Sequence, residues 1–233
     1  MDREELEDLK DQTNSWIMPS RMFSEENMAR RIHGKALEWK LTQTAAALDF
    51  AVEKHAGQFR KGTGKVPYIN HPLLITCHAM ALGIREDSLL AACLLHDVCE
   101  DCGVSPEELP VGERARETVR LVTKWKPSGE ENEEEKEARQ QEYYRAISEN
   151  RDAMIVKVLD RCNNISDMAG AFKYPKMAEY INETEQYVMP LLENLKDFYP
   201  ELHDAAFLVK YQMRTVLTSL KRILYASASE KTL

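Results

Sequence analysis

Residues 89–95 read Leu-Leu-Ala-Ala-Cys-Leu-Leu, an unbroken apolar run that ends on His96 and Asp97. A helix that is apolar all round is one that other elements surround. The run therefore predicts a central helix over 87–101, and it carries an imidazole and a carboxylate into the interior. An ionised Asp without a partner is disfavoured there by several kcal/mol. One divalent cation satisfies both groups, and this mixed nitrogen and oxygen set suits Mn, Fe, Zn or Co better than Ca. On a continuing helix Glu100 stands one turn beyond His96, and Asp101 one turn beyond Asp97, within reach of a water on the metal. The plainer alternative is a His and an Asp that cap a core helix while Glu100 and Asp101 face solvent. A metal needs further ligands from elsewhere in the chain.

The rest of the sequence surrounds that helix with others. Nine Gly and nine Pro in 233 residues are too few for a turn-dense β fold, and 43% hydrophobic residues are enough for a sizeable core. Helical patterns run over 41–56, over 72–82 with Pro72 in the first turn and Gly83 at the end, and from a Ser105-Pro106 start through 122. Another covers 152–168, and two long amphipathic helices over 174–226 part near Pro200. The acid run 130–137 reads as a solvated loop or helix start. Residues 1–40 read as a polar leader and a short docking helix, 41–198 as the main domain, and 199–233 as a C-terminal helix packed on it. The fold class is all-α.

Charge and cysteine usage exclude several roles. With 31 basic and 39 acidic residues the net charge is −8, which offers no basic field to a nucleic acid. No apolar run approaches the roughly 20 residues that span a membrane, and the acidic start is unlike a signal peptide. Five cysteines, an odd number, sit in apolar or motif segments as reduced thiols do, and the lone pair Cys99 and Cys102 lacks a second pair. These features point to a cytoplasmic protein. Homo-oligomerisation stays open.

Two further stretches bring chemistry. Residues 58–72 form a turn-rich loop with Arg60, Lys61 and Lys65, the densest basic cluster before the acid run, and it re-enters a helix at His71-Pro72. A guanidinium there can stack on a purine or fork onto phosphate, or it can simply be solvated. Over 152–168 the apolar residues recur at helical spacing, and Asp160 and Asn164, four apart, share a face. An Asp flanked by Val158 and Leu159 needs a cation or a donor; a neighbouring Arg is the alternative to a metal.

Taken together, four phrases resemble the HD superfamily of metal-dependent phosphohydrolases, and within it the hydrolase domain of the RelA/SpoT homologue family, which hydrolyses the alarmone (p)ppGpp. They are His55-Ala-Gly-Gln-Phe-Arg60-Lys61-Gly62, Pro67-Tyr-Ile-Asn-His71-Pro72, Leu94-Leu-His96-Asp97-Val-Cys-Glu100-Asp101 and Lys157-Val-Leu-Asp160-Arg-Cys-Asn-Asn164. They stand in the family's order, between about Ala45 and Leu195. The resemblance implies a single HD-domain helical bundle of roughly eight to ten helices, of the standalone small alarmone hydrolase type. It implies that His71, His96, Asp97 and Asp160 bind one metal, usually Mn in this family. Glu100 and Asp101 position or deprotonate the attacking water; Asn164 lies beside metal and ribose; Arg60 stacks on guanine, with Lys61 near base and phosphates. Water attack at the 3′ phosphorus then releases pyrophosphate and leaves GDP or GTP. The alternatives are an HD phosphohydrolase of another nucleotide, such as NADPH or a nucleoside monophosphate, and a non-catalytic nucleotide-binding module. Two positions depart from the family: where it often has His and Arg after the last Asp, this chain has Asn163 and Ser166.

Overall fold

In a computed structural model, residues 24–60, 66–127, 129–168 and 172–230 are described. Helices dominate: α1 Glu25–Trp39, α2 Thr42–Lys54, α3 Asn70–Ala81, α4 Asp87–Leu95, α5 Val98–Cys102, α6 Glu113–Val122, α7 Glu133–Ser148, α8 Arg151–Ser166, α9 Tyr174–Glu183, α10 Met189–Phe198 and α11 His203–Glu230. Among the described residues the sole β pairing is an isolated bridge between Phe59 and Pro67. The all-α expectation holds.

Two helices form the centre. In α4 every residue from Leu89 to Leu95 is fully buried, with α2, α3 and α6 packed around it. In α8 every residue from Asp152 to Cys162 is buried, against α3, α7, α10 and α11. That burial includes Lys157, Asp160 and Arg161, groups that enter an interior only when paired. One apolar cluster runs from Met28, Ile32 and Ala36 of α1 to Met213, Leu217 and Leu220 of α11. The amphipathic spacing of both outer helices accounts for which side faces in.

The starts and stops follow local chemistry in part. Asn132 caps α7 in a capping box with Glu135, so the acid run 130–137 becomes a helix start whose carboxylates favour the positive end of the dipole. Asn150 caps α8, its Oδ1 accepting from the Ala153 amide at 2.9 Å. The start of α2 is capped from a distance instead. Asp87, at the head of α4, accepts from the amides of Gln43 at 3.0 Å and Thr44 at 2.8 Å, which brings two helix starts together. Between α9 and α10 the chain widens into a π turn over Thr184–Val188. Pro190, which has no amide hydrogen and collides with the carbonyl four residues back, is the local cause.

Three expectations shift at helix boundaries. The stretch 105–122 is not one helix: Pro106–Glu108 is a 3-10 turn, and α6 begins only at Glu113. The helix through His71 begins at Asn70 rather than Pro72. The helix expected over 87–101 breaks, with α4 ending at Leu95 and α5 starting at Val98.

Candidate active site

That break shapes the site. Neighbouring residues on a regular helix point about 100° apart, yet His96 Nε2 and Asp97 Oδ2 lie 3.0 Å from each other. The turn between α4 and α5 brings both side chains onto one point. The chain resumes helix at once, the Asp101 amide donating to the Asp97 carbonyl at 2.9 Å, and Gly103 closes α5 with φ 67°, a left-handed conformation that glycine adopts without strain.

His71 arrives from the first turn of α3. Its Nε2 is 3.3 Å from His96 Nε2 and 3.5 Å from Asp97 Oδ2. Asp160, from the middle of α8, places Oδ1 3.2 Å from His71 Nε2 and 3.8 Å from His96 Nε2. His71, His96 and Asp97 by themselves form a group with one ligand atom each inside 4.8 Å of one another. Ligands about 2.0–2.2 Å from a common cation stand at mutual distances of this order.

The outer contacts decide which ring nitrogens face inward. His96 Nδ1 donates to the Cys93 carbonyl at 2.9 Å. His71 Nδ1 donates to Asn163 Oδ1 at 2.5 Å. With each Nδ1 engaged outward, both Nε2 atoms face each other and two carboxylates, an arrangement that a shared proton or a bound cation satisfies. The donor set fits a divalent metal.

Further side chains hold the carboxylates. Tyr68 donates its hydroxyl to Asp97 Oδ2 at 2.6 Å. On Asp160, Oδ1 accepts from Asn164 Nδ2 at 2.5 Å and Oδ2 accepts from Lys157 Nζ at 3.0 Å. Burial disfavours ionised Asp160, but Lys157 and the two histidines hold its carboxyl well below the usual range. Burial works against Asp97 in the same way, and His96 and His71 overcome it. Burial opposes a charged His96, while Asp97 foremost, then Asp160, draw positive charge to its Nε2, the place a bound cation takes. Lys157 stays cationic despite burial because the Asp160 carboxylate pairs with it at 3.0 Å.

Glu100 and Asp101 stand on α5. Glu100 Oε2 accepts from the Lys124 amide at 3.1 Å. Partial burial raises the Glu100 pKa, that amide works the other way, and the carboxylates of Asp97 and Asp101 push it up again. A carboxylate raised toward neutrality is the stronger base. The Lys124 side chain meanwhile reaches Glu183 at 2.9 Å, whose Oε1 also accepts from Arg161 at 2.8 Å and Tyr144 at 2.7 Å.

Arg60 sits beside the Phe59–Pro67 bridge, its own amide donating to the Val66 carbonyl at 2.9 Å and that of Tyr68 to the Gln58 carbonyl at 2.9 Å. Its Nη2 donates to Asn164 Oδ1 at 3.1 Å and meets Asp167 Oδ2 at 3.2 Å. The guanidinium is thus anchored to the end of α8 rather than free. Lys61 lies outside the described residues. Ser166 turns its hydroxyl back to the Cys162 carbonyl at 2.8 Å.

The residues brought together are therefore His71, His96, Asp97, Asp160, Asn164 and Arg60. Tyr68, Lys157, Asn163 and Asp167 join them without having been assigned a role from sequence. The i,i+3 spacing of Lys157 and Asp160 was a readable signal; the other three had none beyond lying in or beside the matching phrases.

A family model described as the HD domain matches residues 47–191. The chain belongs to the HD-domain family. The match takes in all four of the converging His and Asp side chains. The HD domain is also 32% identical over 155 residues to the guanosine-3′,5′-bis(diphosphate) 3′-pyrophosphohydrolase MESH1 of Xenopus tropicalis, covering 64% of this chain and 83% of that protein. The human MESH1 is 33% identical over 132 residues, 54% of this chain and 69% of the relative. A guanosine-3′,5′-bis(diphosphate) 3′-pyrophosphohydrolase of Aquifex aeolicus is 35% identical over 173 residues, and there the chain spans 23% of the relative's length. Among solved structures, that of a metazoan orthologue of SpoT superposes with a TM-score of 0.59 at 22% identity, covering 76% of this chain and 95% of the other. At that identity the likeness speaks for the fold.

Proposed function

We propose that this HD domain is a metal-dependent pyrophosphohydrolase that removes the 3′ diphosphate of guanosine 3′,5′-bis(diphosphate) or its 5′-triphosphate counterpart, leaving GDP or GTP. The observation that carries the reading is the pair of imidazole Nε2 atoms 3.3 Å apart, both with Nδ1 committed elsewhere, flanked by Asp97 and Asp160. The MESH1 relatives, whose names specify that reaction, support the substrate.

In this reading His71, His96, Asp97 and Asp160 hold one Mn2+. When bound it supplies the charge that acidifies water and polarises a phosphoryl oxygen. Two neutral imidazoles and two carboxylates leave that charge nearly balanced, so a phosphate-rich anion is still admitted. Glu100, its basicity raised by burial and then by neighbouring carboxylates, takes the proton of the attacking water with Asp101 beside it. Attack at the 3′ phosphorus breaks its bond to the ribose oxygen, which regains a proton to become the 3′-hydroxyl of GDP or GTP, and pyrophosphate is released. Asn164 touches the Asp160 carboxylate and the Arg60 guanidinium, the position suited to the ribose. Arg60 offers its planar face to guanine, and Lys61 neutralises phosphate. Five free cysteines suit a cytoplasmic setting, and no described helix is long and apolar enough to cross a membrane.

A panel of nucleotides with added Mn2+, scored for pyrophosphate against orthophosphate, tests this. Pyrophosphate from guanosine 3′,5′-bis(diphosphate) is expected. Orthophosphate from NADPH or a nucleoside monophosphate supports the second reading. Nucleotide binding without turnover points to the non-catalytic module.

A further inference from the structure

The two imidazoles of the centre are oriented by unlike partners. His96 is held by a backbone carbonyl, that of Cys93, which no substitution removes. His71 is held by a side chain, Asn163 Oδ1, at 2.5 Å across the packed faces of α3 and α8. His71 is fully buried, so water does not replace a lost partner.

The acceptor has a specific competitor. His71 Nε2 lies 3.2 Å from Asp160 Oδ1 and 3.5 Å from Asp97 Oδ2, and either carboxylate would readily accept a proton carried on Nε2. That tautomer occupies the lone pair a metal needs. Only an acceptor on the Nδ1 side opposes it. Asn163 is that acceptor, at a position where the family often has His.

We infer that Asn163 is a positioning residue for the metal: by accepting from His71 Nδ1 it keeps the Nε2 lone pair of His71 aimed at the cation. The inference rests on the metal reading of the centre and not on the nucleotide proposed as substrate. Outer partners of metal-bound histidines are worth about 10- to 100-fold in affinity.

The test is Mn2+ binding to the purified protein without nucleotide, measured by calorimetry and by competition with a chelator, alongside thermal melts in excess chelator. Asn163→Leu, which has no acceptor, is expected to weaken Mn2+ binding about 10- to 100-fold, with a lower but still cooperative melt in chelator. Asn163→Asp, an acceptor of the same shape, is expected to bind at least as tightly as the parent. If Leu at 163 binds like the parent, or if Asp at 163 binds as weakly as Leu, Asn163 does not orient His71 and the inference falls. Should the Leu variant fail to fold, the Asp variant decides alone: weaker binding than the parent overturns it. A parent protein that binds no Mn2+ sinks the metal centre itself, a separate outcome from loss confined to the variants.

Discussion

The proposed metal side and the proposed base-facing side of this site are made of different material. On the first, His71, His96 and Asp160 are all buried, each on a helix or at its end, and every one of them has a second contact that fixes its direction. On the second, Arg60 lies outside any helix, beside an isolated β bridge, and is steadied by Asn164 and Asp167 near the end of α8. Rigid elements give a reaction centre its precision, and irregular ones give the pocket its choice of ligand. The chemistry is therefore fixed more firmly than the substrate.

The largest effect that can break this contrast is loss of a ligand. Asp160→Asn or His96→Ala is expected to reduce Mn2+-dependent hydrolysis to background while circular dichroism still reports a helical protein; normal turnover in either variant removes the site assignment. Next is Lys157→Met. It leaves Asp160 buried beside one fewer cation, and breaking a buried pair costs about 3–5 kcal/mol, read as a lower denaturation midpoint in chelator. Added Mn2+ should recover more stability in this variant than in the parent, because the metal supplies the missing charge.

A slightly smaller effect sharpens the same side. Burial raises Glu183, but Arg161 and Lys124 hold its pKa down at about 2 against an ordinary 4.5. A depressed carboxyl adds stability that is fully present above pH 4.5 and is lost as the pH falls through 2. Glu183→Gln should flatten acid unfolding across that window by about 3 kcal/mol, measured as stability against pH. The smallest effect belongs to the other side: Arg60→Ala is expected to raise KM about 10-fold with kcat little changed, as removal of uniform binding does. An equal fall in kcat would place Arg60 with the chemistry and erase the contrast.

The same division governs what the residues announce. His71, His96, Asp97 and Asp160 are legible because metal chemistry admits few side chains, and buried carboxylates in apolar helices ask for a partner. The break after Leu95 was hidden, since neither Gly nor Pro marks it. Capping of α2 by Asp87 joins positions 43 apart in sequence, a distance that local pattern does not span. Asn163 showed only as a departure, and its reach to His71 depends on how α3 packs on α8. The sequence pattern ran one helix from 174 up to Pro200, and the π turn ahead of Pro190 is a response of the whole α9–α10 rod.

The bond between Glu100 and position 124 runs through a main-chain amide, so it is indifferent to which side chain stands there. Divergence at 124 is free to rewire the Glu183 network, and with it the stability of the fold, while the proposed base keeps its hold. Proline is the one replacement that severs the attachment outright. That separates two properties, robustness and reactivity, that usually change together at a single residue.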